Sequence, residues 1–110
     1  MEIEVTQADG ITVVEPRGEI DSRAADQVKR TLTELIEGSR SRLLVDLTAV
    51  PYIDSTGLGI LVAAMKQARA AGGDVRVCGL QKEVLSIFGV THLVKIIAVY
   101  ANRQEAISSW

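Results

Sequence analysis

Leu43-Leu44-Val45-Asp46-Leu47, followed three residues later by Pro51-Tyr52-Ile53-Asp54-Ser55-Thr56-Gly57-Leu58-Gly59, is the stretch on which the reading of this chain turns. Its first part is a short aliphatic run bounded by polar residues, as a central strand covered on both faces requires. Its second part opens a helix. Asp54 is the natural N-cap, and Leu58, Leu61, Val62, Met65 and Ala68 recur at helical spacing until Gly72-Gly73. A strand that feeds a helix in this way is the repeating unit of a parallel sheet.

Upstream, Ile3 to Val5 and Ile11 to Val14 flank the turn Ala8-Asp9-Gly10, which reads as a β-hairpin, and Gly18-Glu19-Ile20 extends the sheet. Asp21-Ser22 offers an N-cap. Ala25, Val28, Leu32, Leu35 and Ile36 then mark a helix that Gly38 stops. Downstream, Val75 to Cys78 reads as a strand, Lys82 to Phe88 as a short helix stopped by Gly89, and Ile96 to Tyr100 as a last strand. Asn102 with Glu105 resembles a capping box, opening a terminal helix with Ala106 and Trp110 on one face. The expected fold is α/β: one domain over residues 1–110, a mixed sheet with an N-terminal hairpin and about four helices.

Composition narrows the function. With 47% hydrophobic and 24% charged residues in 110, the chain is long enough and apolar enough to bury a core. Its 12 basic and 14 acidic residues are scattered, so no segment supplies the footprint of a nucleic-acid or anionic-membrane binder. The acidic start Met1-Glu2-Ile3-Glu4-Val5 is unlike a secretory signal and no apolar run reaches membrane-spanning length, so a cytoplasmic protein without membrane insertion is expected. Cys78, the only cysteine, reads as a packed core thiol, and His92, the only histidine, as a structural or surface residue; no metal set is expected.

The chemistry concentrates at Asp54 to Gly59. A helix N-terminus leaves amides unpaired and carries the positive end of the macrodipole, so a negative group is favoured there. Phosphorylation of Ser55 would add roughly −1.5 to −2 charge and three acceptor oxygens, which those amides accommodate without unfolding the helix. Gly57 and Gly59 each cost up to about 1 kcal/mol inside a helix, and their reading is access: bare positions that leave the turn open to an enzyme or partner. Asp54-Ser55-Thr56 is equally what any well-made helix start uses. Ile60, Ala63 and Ala64 lie off the stripe set by Leu58, Leu61 and Met65, either as a docking face or within a more broadly buried helix. Catalysis finds no parts. The turn matches neither dinucleotide nor P-loop glycine patterns nor a nucleophile elbow, and His92 is the sole imidazole available as a base. No cofactor is expected and the chain is read as a non-enzyme.

Leu44-Val45-Asp46-Leu47-Thr48, Val50 and Tyr52-Ile53-Asp54-Ser55-Thr56-Gly57-Leu58-Gly59-Ile60-Leu61 resemble the signature of the STAS domain, the anti-sigma factor antagonist family, and Gly18-Glu19-Ile20-Asp21 resembles its second motif. The resemblance spans essentially the whole chain. It implies that the unphosphorylated form binds an anti-sigma factor that is also a serine kinase, freeing a sigma factor for transcription. That kinase then phosphorylates Ser55, the complex dissociates, and a serine phosphatase resets it. By resemblance Asp54 shapes the helix start and Asp21 flanks the site. Thr56 stands where many relatives carry serine or alanine, which makes it a second, lesser candidate acceptor. The alternative is a non-switching scaffold or adaptor in a signalling or transport assembly.

Overall fold

A computed structural model describes all residues 1–110. The order of elements is β1 (Glu2–Ala8), β2 (Ile11–Arg17), α1 (Ser22–Glu37), β3 (Arg42–Asp46), α2 (Ser55–Ala70), β4 (Asp74–Cys78), α3 (Lys82–Val90), a 3-10 turn (Leu93–Lys95), β5 (Val99–Tyr100) and α4 (Arg103–Ser108). The five strands lie side by side in sequence order. β1 and β2 pair antiparallel, with Ala8 opposite Ile11, and every later pair is parallel. Asp9 and Gly10 form the two-residue hairpin loop, at φ 52° and 78°. Two successive left-handed residues are what a turn compatible with strand twist needs, and Asp-Gly supplies them at little cost. No helix is long and apolar enough to cross a membrane.

Alternation along the strands splits the core in two. Val14, Leu43, Val45, Val75 and Val77 face α1, α2 and α3 within a cluster of 21 buried residues. The opposite side of the sheet presents Ile11, Val13, Leu44 and Cys78, and with Ala106 of α4 these make a cluster of only five. Helices therefore cover both faces, but very unequally.

α1 runs to Glu37 and stops at Gly38 as expected, with Gly38 at φ −83° and the left-handed conformation, φ 66°, falling to Ser39. Two other expected boundaries move. Gly89 does not stop α3, which continues to Val90; exposed His92 turns the chain at φ 63°. The last strand is two residues rather than five, because Leu93–Lys95 wind into a 3-10 turn that drops Leu93 and Ile97 into the main core. A buried apolar pair fits a strand or a core-plugging turn equally well, and tertiary packing chose the turn.

Asp46, at the end of β3, is buried on the α4 side and accepts from Arg103 Nε at 2.6 Å and from the Thr48 amide and hydroxyl at 3.0 and 2.5 Å. Burial alone would push its carboxyl up; the Arg103 and Thr48 donors outweigh that and hold it below the ordinary aspartate value. Beside it, burial and then the Asp46 charge push the Cys78 thiol up to about 12. A carboxylate with a depressed folded-state pKa contributes stability above its unfolded value, and that contribution is lost as pH falls through the folded value. Wild type is accordingly expected to lose stability below about pH 4, and Asp46→Asn to be less stable at pH 7 with a flatter profile below that point. Urea midpoints measured from pH 7 to pH 2 read this directly; parallel profiles for the two proteins would contradict it.

Candidate functional site

Two helices start side by side. Ile20 and Ile53 form an isolated parallel bridge beyond the ends of β2 and β3, with the Ile20 amide donating to the Tyr52 carbonyl at 3.0 Å and the Asp54 amide to the Ile20 carbonyl at 3.2 Å. The next residue on each side is an N-cap: Asp21 opens α1 and Asp54 opens α2, with nearly identical extended backbones. The chain thus carries Ile-Asp-Ser twice, at residues 20–22 and 53–55, in register. Both serines occupy the first helical position and both are exposed. The sequence signal for this duplication is a tripeptide repeated before two apolar helical runs.

At α2, the Asp54 carboxylate accepts the Gly57 amide at 3.0 Å and the Asp54 carbonyl accepts the Leu58 amide at 3.0 Å. The amides of Ser55 and Thr56 keep no protein partner. These two N–H groups, at the positive end of a 16-residue helix, lie where a phosphate on Ser55 would find donors. Thr56 is exposed as well.

Asp21 is otherwise engaged. Its carboxylate accepts the Arg23 and Ala24 amides at 3.0 and 2.9 Å and pairs with Arg23 at 3.2 Å; the Ala24 amide, then the Arg23 guanidinium, hold its carboxyl below the usual range. It flanks Ser55 through the Ile20–Ile53 bridge and makes no hydrogen bond to it.

The two glycines of the turn differ. Gly59 faces open space, as the access reading expects. Gly57 is buried, and a Cβ there would lie 2.7 Å from Ile53 Cγ1 and 2.8 Å from Ile20 Cγ2. It is bare so that α2 can sit against the isoleucine bridge, which corrects its assignment as an access position. The docking residues also separate. Ala63 is exposed and Ile60 half-buried, but Ala64 is 4% exposed and belongs to the main core. α1 packs against this flank of α2, so the buried arc is wider than the stripe that faces the sheet. A shallow cleft of about 320 Å³ runs between the two helices, with Lys29 and Thr33 on one wall, Gly59, Ile60 and Ala63 on the other, and Ala64 in its floor. Gly59 and Ala63 lie one and two turns beyond Ser55, so cleft and hydroxyl share a face of α2.

The family described as the STAS domain matches residues 2–106. The chain belongs to the STAS domain family. Among relatives of this STAS protein, the anti-sigma-B factor antagonist of Bacillus subtilis is 30% identical over 105 residues, covering 96% of this chain and 95% of the relative. The crystal structure of an anti-sigma factor antagonist from Mycobacterium paratuberculosis superposes with a TM-score of 0.90 at 27% identity, over 98% of this chain and 92% of that one. The Bacillus cell fate determinant SpoIIAA in its phosphorylated form shares the fold at TM-score 0.75 and 18% identity, over 98% of each chain. In this STAS domain the Ile20–Ile53 bridge sets Asp21 beside the start of the helix that carries Ser55.

Proposed function

We propose that this chain is the switchable antagonist of an anti-sigma factor. Unphosphorylated, it binds an anti-sigma factor that is itself a serine kinase, and so releases a sigma factor; phosphorylation of Ser55 ends the complex, and a serine phosphatase restores it. The observation that carries the reading is the Ser55 hydroxyl: exposed, first in its helix, with two unpaired amides beneath it and an open glycine one turn on. A phosphate there meets a favourable dipole within its own chain. In a complex the same dianion would be desolvated against a surface that fits a neutral hydroxyl, so the interface breaks and the fold does not. ATP serves the kinase partner, and this chain contributes the acceptor oxygen and no catalytic group. The antagonist names of the relatives, and a solved phosphorylated form among structures of the same fold, support this assignment.

The test is phosphorylation by the cognate kinase with ATP, read by intact mass and peptide mapping. Wild type is expected to gain one phosphate on Ser55, and Ser55→Ala to gain none. A phosphate mapping to Thr56 would move the switch by one residue, and an unmodified wild-type chain would favour the scaffold reading.

A further inference from the structure

The weak side of the sheet has one cover. Residues 101–110 lie over Ile11, Val13, Leu44 and Cys78, and their apolar contribution is buried Ala106 with partly buried Ile107 and Trp110. α4 itself is six residues long, and helices below about 12 to 15 residues are marginal on their own, so it exists because it is docked. What docks it is largely polar. Arg103 Nε donates to Asp46 Oδ2 at 2.6 Å and Arg103 Nη2 to Glu15 Oε1 at 2.9 Å, clasping the start of α4 to the ends of β3 and β2. At its other end Arg76 Nη1 donates to Ser109 Oγ at 2.7 Å and lays its guanidinium 4.1 Å from the Trp110 ring. The remaining helices are held by the 21-residue core on the opposite face, to which α4 contributes nothing.

From this asymmetry we infer that residues 101–110 are a strap that undocks as a unit while the rest of the domain stays folded, and that the Arg103 clasp on Asp46 and Glu15 sets how often it opens. Local opening of this kind is drawn from elements with few buried apolar contacts, and of the four helices α4 buries the fewest side chains, Ala106 alone. Opening uncovers a short apolar face of the sheet with Cys78 in it, on the side away from α2. The inference stands apart from the Ser55 switch.

The protein carries its own reporters, since its only cysteine lies beneath the strap and its only tryptophan ends it. In full-length native protein, the Cys78 thiolate displaces iodide from iodoacetamide only when uncovered. Alkylation is expected to run faster than global unfolding, measured independently by urea titration, allows. Arg103→Gln is expected to speed it about tenfold or more and to shift Trp110 emission toward that of a solvated indole. Val84→Ala, which weakens the main core on the opposite face, is expected to lower the urea midpoint and leave alkylation unchanged. Alkylation that follows global stability in Val84→Ala, or that is no faster in Arg103→Gln, overturns the strap.

Discussion

Aspartate in place of Ser55 is expected to leave the melting temperature within about 4 °C of wild type while weakening capture of the anti-sigma partner by on the order of 100-fold. The two halves of this result come from one location. Ser55 is exposed and first in α2, and the amides of Ser55 and Thr56 have no partner in the folded chain. A carboxylate at such a position gains about 0.3 to 1 kcal/mol from the helix dipole. The Asp54 carboxylate, one residue back and already capping Gly57, offsets part of that gain by repulsion. Across an interface there is no such compensation: a charge set against a surface that fits a hydroxyl is desolvated without a partner, and a penalty of about 3 kcal/mol corresponds to the 100-fold loss. Aspartate brings one charge where phosphate brings nearly two, so the substitution sets a lower limit for the natural switch. Titration calorimetry supplies the affinity and differential scanning the melting point. Equal affinity in Ser55→Asp would sink the electrostatic account, and a large fall in melting temperature would reduce the lost binding to lost folding.

The fold was readable wherever the deciding physics is local. The Asp-Gly hairpin and the caps at Asp21, Asp54 and Asn102 are each fixed by a residue type and its immediate neighbours, and the structure places all of them as expected. The Ser55 turn was legible for the same reason, as an exposed hydroxyl beside an N-cap needs no distant partner to define it. What escaped depends on contacts between residues far apart in the chain. Arg103 and Asp46 are separated by 57 positions, and neither shows locally that it belongs to a clasp. Ala64 looks outward when the helix is judged against the sheet alone; it is inward because α1 packs across the same flank. Gly57 looked like its neighbour Gly59 because both are bare, and only the packing of Ile53 and Ile20 against residue 57 distinguishes them.

That distinction predicts substitutions of opposite sign two residues apart. Gly57→Val is expected to destabilise the domain by about 3 kcal/mol, and Gly59→Ala to stabilise it by about 0.5 to 1 kcal/mol. A Cβ at residue 57 would sit within 2.8 Å of both Ile20 and Ile53. Neither can move aside: each is 1% exposed, each is stiff at χ1, and their backbones are tied by the bridge that aligns the two helix starts. Overpacking of this kind costs about 1 to 3 kcal/mol, and valine's two γ-methyl groups take the cost to the upper end, beyond what leaving glycine restores in helix propensity. At residue 59 nothing lies within 4 Å of a Cβ, so alanine collects the propensity gain unopposed. Urea titration of the two variants against wild type decides the matter, and midpoints that shift in the same direction would refute the packing role of Gly57. Binding separates the glycines in the reverse sense. Gly59→Ala adds a methyl group to the cleft wall one turn from Ser55, so under the proposed switch it is expected to weaken partner binding while strengthening the fold; unchanged affinity in this variant would detach the cleft from the interface.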